Sequence, residues 1–208
     1  FKQRGDVVNG YDLTESELTR QLVAEGIGVH YDDNPNLIPQ GIDMVIYTPA
    51  VPKENNEFQH LAKSGIPMLK RSQMLGELTK GKKCIAVAGT HGKTTTSSMI
   101  AYMLSKSDLG CSAFLGGISK NFNSNIHVDN KSEYVVVEAD EYDRSFLQLH
   151  PYCAVITATD PDHLDIYGTR ENLVTAFNQY ANQSDIVLVE EQVADEITHP
   201  RKLVYGIH

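Results

Sequence analysis

Cysteine is scarce in this chain of 208 residues, which has only Cys84, Cys111 and Cys153, far apart in the sequence. Such spacing argues against a zinc site and against a disulfide scaffold. Cys84 and Cys153 stand in apolar runs typical of strands. We therefore expect buried, reduced thiols in a cytoplasmic protein.

Positive charge is also scarce. The chain has 18 Lys and Arg residues but 27 Asp and Glu residues, so its formal net charge is −9. This balance argues against general binding to nucleic acid or to anionic membranes. No apolar stretch approaches the length of a membrane span, and no segment has the pattern of a signal peptide. We expect neither nucleic acid nor a membrane as a partner, and the sequence specifies no oligomeric state.

The most informative segment is Cys84–Ile100, CIAVAGTHGKTTTSSMI. It predicts a buried parallel strand, a glycine-containing turn and the start of a helix. Glycines let the backbone approach an anion, and the first N–H groups of the helix point at it. In such a loop Lys93 reaches the terminal phosphates and the Thr94 hydroxyl ligates Mg2+. The residues predicted to bind the nucleotide are Gly89, Thr90, His91, Gly92, Lys93, Thr94 and Thr95.

This phosphate-binding loop has the short GxxGKT form, because Val87 stands where the longer pattern has its first glycine. An ordinary strand–helix turn is the alternative. The position between an apolar strand and a helix start favours the phosphate-binding interpretation. The helix after the loop is predicted to bury Met99, Ile100, Met103 and Leu104.

Residues 1–80 alternate strand and helix patterns, which predicts a parallel sheet with helices on its faces. We predict strands at 6–8, 28–31, 43–48 and 66–69, and a helix at 15–25 with Thr14 and Glu17 as its capping box. Ligands of such sheets bind beyond the carboxyl ends of the strands. The turns at 9–12 and 48–51 are therefore either ligand-binding segments or plain surface turns. The candidate residues there are Asn9, Gly10, Asp12, Thr48, Pro49 and Ala50.

A polar, basic segment at 80–83 precedes the phosphate-loop strand, and we predict a domain boundary there, between 1–80 and 81–208. In the second domain, strands are predicted at 84–88, 112–115, 134–137, 153–158 and 185–189. The strand at 112–115 is expected to end at Gly116 and Gly117. A helix is predicted at 172–180.

Polar clusters follow three of these strands, at 89–94, 138–143 and 160–165. Because the carboxyl ends of parallel strands share one edge of a sheet, we expect Lys93, Glu138 and His163 to converge. Thr94 and Glu138 offer the oxygen ligands that Mg2+ prefers. The alternatives are a solvated acidic loop and a hydrogen-bonded turn histidine. No serine nucleophile elbow or Cys–His pair is present, so the predicted chemistry is phosphoryl transfer.

Three motifs together resemble the Mur ligases, the ATP-dependent amide-forming enzymes of peptidoglycan precursor synthesis. They are GTHGKTTT at 89–96, VVVEADEYDRSF at 135–146 and TATDPDHLDIYG at 157–168. The similarity also includes YTPAVPKENNE at 47–57 and KRSQMLGEL at 70–78. Within the family, His91 and the EADE run look most like the members that join L-alanine to UDP-N-acetylmuramate. Members that add a recycled peptide to the same UDP-sugar share this histidine and are the alternative.

The resemblance implies a Rossmann-like domain that binds the UDP moiety, a P-loop α/β domain that binds ATP, and a third domain. We expect this chain to hold most of the first domain and the front of the second, and to be inactive alone. The implied reaction forms an acyl phosphate that the alanine amine attacks. Lys93 would stabilise the transferring phosphoryl group. Thr94 would hold one Mg2+, and Glu138 with His163 a second.

Two positions depart from the family pattern: Ala158 stands where asparagine is usual and Tyr142 where serine is usual. Two other classes remain as alternatives. A nucleotide switch or motor would have no sugar-nucleotide domain, so residues 1–80 argue against it. A non-catalytic UDP-sugar-binding module would not depend on Mg2+ or on Lys93. The residues 9–12 and 48–51 would face the UDP moiety in a Mur ligase.

Overall fold

The computed structural model describes residues 1–162 and 164–206, with the backbone alone of Asp143. The predicted α/β class is confirmed, and the chain divides into two compact units, Phe1–Arg71 and Ser72–His208. Among the described residues, no helix combines the length and the apolar character needed to cross a membrane.

The first unit contains two separate pairs of parallel strands, and in each pair an α-helix connects the two strands along the chain. Its α-helices begin behind polar N-caps, the side chains of Ser16 and Asn55, which accept backbone N–H bonds of the first turn. The elements are β1 Asn9–Tyr11, α1 Glu17–Ala24, β2 Gly28–His30, β3 Val45–Tyr47, α2 Asn56–Lys63 and β4 Met68–Lys70, with 3-10 helices at Lys2–Arg4 and Pro35–Leu37.

A polar network ties the start of α2 to the segment after β2. The buried Glu57 carboxylate lies 2.7 Å from His30 Nε2 and accepts a 3.1 Å bond from the Asn34 backbone N–H. The Asp33 carboxylate accepts backbone N–H bonds of 2.9 Å from Asn56 and from Glu57. These bonds favour the ionised carboxylate and lower the pKa of Asp33. The unit is thus held partly by charge-assisted bonds.

Three predictions for this unit are wrong, and the first is the strand at 6–8, where the structure has no regular element. Residues 9–11 form a strand rather than a turn, because Asn9, Gly10 and Tyr11 pair in register with Gly28–His30. Long-range pairing here overrides the low strand propensity of Asn and Gly. The capping box of α1 uses Ser16 and Thr19 instead of Thr14 and Glu17.

The second unit is built on a seven-stranded sheet, ordered β11-β10-β9-β5-β8-β6-β7. All neighbours are parallel except β6 and β7, which are antiparallel. Its regular elements are α3 Arg71–Thr79 at the junction, β5 Lys83–Ala88, α4 Lys93–Ser105, β6 Ser112–Ser119, β7 Ser124–His127, β8 Tyr134–Glu138, β9 Cys153–Ile156, α5 Leu164–Tyr167, α6 Arg170–Asn182, β10 Ile186–Glu190 and β11 Lys202–Tyr205. Among its described residues the unit also has 3-10 helices at Tyr142–Gln148 and Glu191–Glu196.

Both faces of this sheet are covered by helices. Val135 and Val137 point into one core cluster with the α6 residues Phe177 and Tyr180, whereas Val136 belongs to a second cluster on the α4 side. This alternation is the period of two expected for a strand with opposite faces buried. Tyr180 is fully buried and donates a 2.6 Å bond to the Ala86 carbonyl of the central strand β5.

Other predictions for this unit have mixed outcomes. Cys84 and Cys111 are buried free thiols, as expected, whereas the free thiol Cys153 is only partly buried. Burial raises the pKa of Cys84 to about 12. The expectation that Met99 and Met103 belong to the core is wrong, because they are 58% and 61% exposed. Strand β6 continues through Gly116 and Gly117 to Ser119 instead of ending there, with an irregular register against the unpredicted β7.

Candidate active site

The glycine-containing loop after β5 has a backbone that only glycine tolerates. Gly89 has φ 143°, and a Cβ there would overlap Thr157 Oγ1 and lie 2.9 Å from the Ala158 backbone nitrogen. Gly92 has φ 81° and forms the N-cap of α4. The close approach of the segment after β9 to the loop at Gly89 thus requires a residue without a side chain.

Strand β9 and the residues after it hold the loop in place. Thr157 donates from its backbone N–H to the Ala88 carbonyl at 3.0 Å, and its hydroxyl bonds the Ala88 and His91 carbonyls. The Thr90 N–H donates to the Ala158 carbonyl at 3.1 Å, and the Thr90 hydroxyl accepts from the Asp160 N–H at 3.1 Å. These bonds bring the first and third predicted polar clusters together.

The N-terminus of α4 is suited to an anion. Within the part of the chain that the structure describes, no side chain caps this end of the helix. Lys93, Thr94 and Thr95 occupy its first turn, and Thr94 and Thr95 are exposed. The first N–H groups and the positive end of the helix dipole therefore face the loop, and this arrangement fits a phosphate group.

The Lys93 ammonium lies across the loop in a defined position. Its Nζ donates to the Gly89 carbonyl at 2.7 Å and lies 2.9 Å from each carboxylate oxygen of Glu141. The Glu141 side chain is fully buried, and burial raises the pKa of its carboxyl against the opposing effect of Lys93. Sequence reasoning placed Glu141 only in the acidic run at 138–143, so this pairing was missed. The only signal was that the run follows a buried strand.

Glu138 ends β8, next to the loop strand, where it pairs in register with Val87. Its Oε2 accepts a 2.9 Å bond from the Gly116 N–H. A Cβ on the next residue, Gly117, would lie 3.7 Å from the Thr94 methyl group. The Glu138 carboxylate and the Thr94 side chain thus both flank the pair of glycines in β6.

The oxygen atoms of Thr94 and Glu138 are of the type that Mg2+ takes, and they leave room for water and phosphate ligands. His163, the predicted third participant, lies outside the described residues. Among residues 1–162 and 164–206, no group of three His, Cys, Asp or Glu side chains could hold a metal ion by itself.

A cleft of about 380 Å3 opens beside the loop, and its lining includes His91, Asp160, Arg170 and Glu196. His91 Nδ1 lies 3.1 Å from Asp160 Oδ2, and both side chains are exposed. Glu196 forms an ion pair with Arg170 and accepts a 2.7 Å bond from the Thr159 hydroxyl. Sequence reasoning did not single out Arg170 or Glu196, because their pairing joins segments 26 residues apart.

The candidate UDP-contacting residues belong to the first unit. Asn9 and Gly10 lie within β1, so they do not form the predicted turn, and Asp12 follows the strand. The Asp12 carboxylate accepts from the Thr14 N–H at 3.2 Å. Thr48, Pro49 and Ala50 are exposed directly after β3, and the Thr48 hydroxyl accepts from the Ala50 N–H at 3.0 Å.

The contact between Gly116 and Glu138 yields a testable prediction. We expect Gly116→Ala to displace the Glu138 carboxylate, because the new methyl group would overlap it. Magnesium-dependent nucleotide affinity should then fall by about tenfold, or about 1.4 kcal/mol. Gly117→Ala is the matched control, because its methyl group would sit at ordinary van der Waals distance from Thr94.

Titration of both variants with nucleotide, with and without Mg2+, measures this effect. We expect a much smaller change in Gly117→Ala than in Gly116→Ala. Equal affinities in the two variants would contradict the proposed dependence on the Glu138 position.

A lysine-bearing glycine loop between a central parallel strand and a helix, at the carboxyl edge of the sheet, defines a nucleotide-phosphate-binding α/β domain of the P-loop class. Family models agree with this class and refine it. The Mur ligase middle domain matches residues 87–198, and the Mur ligase family catalytic domain matches residues 1–83. The chain belongs to the Mur ligase family.

Individual relatives are similar over most of the chain. The UDP-N-acetylmuramate–L-alanine ligase of Phocaeicola vulgatus is 52% identical over 187 residues, covering 88% of this chain and 41% of the relative. The ligase of the same name from Cytophaga hutchinsonii is 51% identical over 188 residues, covering 86% of this chain and 40% of the relative. The chain thus spans about two fifths of the length of these curated relatives.

Solved structures have the same fold. The UDP-N-acetylmuramate-alanine ligase of Thermotoga maritima superposes with a TM-score of 0.85 at 29% identity, covering 99% of this chain and 48% of that one. A second structure superposes with a TM-score of 0.86 at 24% identity, covering 99% of this chain and 71% of that one. It is a UDP-N-acetylmuramate:L-alanyl-gamma-D-glutamyl-meso-diaminopimelate ligase from Neisseria meningitides. The second similarity concerns the fold alone.

Proposed function

We propose that this chain is part of an ATP-dependent ligase that joins L-alanine to UDP-N-acetylmuramate, in the synthesis of peptidoglycan precursors. The observation that carries the proposal is the Lys93 ammonium held across an anion-binding glycine loop at the edge where Glu138 also lies. The ligases of Phocaeicola vulgatus and Cytophaga hutchinsonii, which bear this activity in their names, support the choice of substrates.

In this proposal ATP phosphorylates the muramoyl carboxylate, and the alanine amine attacks the resulting acyl phosphate and displaces phosphate. Lys93 stabilises the charge on the transferring phosphoryl group, and the loop amides of residues 89–95 hold the phosphates in position. Thr94 and Glu138, together with His163, are the residues that would hold Mg2+. When bound, this ion supplies neutralisation of the phosphate charge.

The division of labour within the chain is also part of the proposal. Residues 1–80 would bind the UDP moiety, with Asn9, Gly10 and Asp12 and the turn Thr48, Pro49 and Ala50 facing it. Residues 81–208 would form the ATP-binding part. We propose the cytoplasm as the location, because ATP and UDP-linked sugars are its metabolites.

The competing assignment is a ligase that adds a recycled peptide to the same UDP-sugar. Incubating the full-length natural enzyme with ATP, UDP-N-acetylmuramate and either L-alanine or a tripeptide separates the two. We expect phosphate release and a product of the corresponding mass with L-alanine only. Turnover with the tripeptide alone would replace the proposed function with the competing one, and Mg2+-independent nucleotide binding without turnover would favour a non-catalytic module.

A further inference from the structure

We propose that Glu141 is a positioning residue for Lys93, and that it sets the direction in which the lysine ammonium meets the terminal phosphate. The inference rests on the proposed phosphoryl transfer but concerns a residue to which that proposal gives no role. It follows from the contacts of the Glu141 carboxylate, from its burial and from the way its backbone is anchored.

The lysine ammonium has three N–H donors in a tetrahedral arrangement. In this structure Nζ donates one hydrogen bond to the Gly89 carbonyl oxygen at 2.7 Å and one to Glu141 Oε1 at 2.9 Å. Two anchors in different directions determine the rotation of the ammonium about its carbon–nitrogen bond. The direction of the third N–H is then also determined, and we infer that this N–H meets the phosphate.

Glu141 can act as an anchor because its own position is fixed. Its carbonyl oxygen accepts a 2.6 Å bond from the Tyr167 hydroxyl and a 3.0 Å bond from the Arg144 N–H. Tyr167 is itself buried, at 2% exposure. The carboxylate therefore projects from a backbone that Tyr167 and Arg144 hold in place, and complete burial limits the motion of the side chain.

The charge of Glu141 matters as well as its shape. Lys93 keeps only 16% of its side chain exposed, and a cation so placed needs a nearby negative charge. Without nucleotide, Glu141 supplies that charge. When nucleotide is bound, the phosphate oxygens bring further negative charge close to the Lys93 ammonium. The Glu141 carboxylate then competes with the phosphate for this ammonium and weakens the binding of the phosphate in the ground state. Removing the negative charge of Glu141 should therefore preserve or strengthen ATP binding. It should weaken catalysis, because the Lys93 ammonium loses its fixed orientation toward the transferring phosphoryl group.

The test is Glu141→Gln in the full-length natural enzyme, with kcat and the Kd for ATP measured separately. We expect kcat to fall about tenfold, with a Kd for ATP equal to or below that of the wild type. Glu133→Gln is the charge-matched control, because Glu133 is exposed, precedes β8 at the other end of that strand and pairs with Lys83. This control should keep the wild-type kcat.

Tyr167→Phe provides the structural comparison, because it removes a bond to the same residue without touching the carboxylate. We expect it to lower the unfolding midpoint without the opposite changes in kcat and Kd. A Glu141→Gln enzyme with wild-type kcat would overturn the inference. So would a loss of kcat in Glu141→Gln that is accompanied by a parallel loss of ATP affinity. A wild-type enzyme without turnover would instead count against the proposed function.

Discussion

Lys93→Ala in the full-length natural enzyme should lower kcat by about 100- to 1,000-fold, the usual cost of losing one preorganised donor at a developing charge. Binding of the UDP-sugar should change by less than about threefold, because the lysine acts on the phosphoryl group and not on the sugar nucleotide. Steady-state kinetics together with direct binding of UDP-N-acetylmuramate measure the two effects. Turnover close to wild type would contradict the role assigned to Lys93.

The Lys93→Ala variant also affects the buried carboxylate of Glu141. Burial raises the pKa of this carboxyl, and the variant removes the Lys93 ammonium that opposes this effect. Lys93→Ala should therefore unfold more easily than wild type. The double variant Lys93→Ala/Glu141→Gln removes the buried charge and should regain part of this stability. Its kcat should stay at the level of Lys93→Ala, which separates the catalytic loss from the loss of stability.

Gly89→Ala should lower both stability and nucleotide affinity. The new methyl group would overlap Thr157 Oγ1 and press on the Ala158 backbone, and the residue would keep a positive φ that alanine disfavours. We expect a loss of about 2 to 4 kcal/mol in the free energy of unfolding. ATP affinity should fall by about tenfold or more, because the backbone amides of the loop move with the strain.

Gly81→Ala is the matched control for backbone strain alone. Gly81 also has a positive φ, of 73°, but a Cβ there would meet nothing within 4 Å. It should cost about 1 kcal/mol and leave ATP affinity unchanged. Urea unfolding and ATP titration of both variants provide the comparison. If Gly89→Ala had the same unfolding free energy and ATP affinity as Gly81→Ala, the close packing of the loop against Thr157 and Ala158 would not matter for binding.

Much of the second unit could be predicted because its signals are local. The apolar run before Gly89 gives the buried strand β5, and the lysine and threonines after Gly92 mark the start of α4. The first unit was harder, because its strands have three residues each. In such short strands the pairing partner matters more than residue propensity, and Asn9 and Gly10 were therefore wrongly predicted as a turn.

The exposed methionines of α4 show a different limit. Met99 and Met103 share an apolar helix face with Ile100 and Leu104, and this spacing predicted that they are buried. The buried residues of the helix are instead Ser97 and Ala101, with Ile100 and Leu104 partly buried against the same core cluster. Small residues let the helix approach the strands closely at Ser97 and Ala101, whereas the Met99 and Met103 side chains lie outside this contact. Which face of a helix is buried thus depended on the size of its residues as well as on their polarity.

By itself the sequence determined the α/β class, the glycine-containing turn between strand and helix that carries Lys93 and Thr94, and the family to which the chain belongs, because each depends on short segments of consecutive residues. Only the tertiary structure decided that Glu141 is the partner of Lys93 and that Gly116 makes room for Glu138. These pairs are separated by 48 and 22 residues. Their contact depends on the order of the strands in the sheet, which no local pattern specifies.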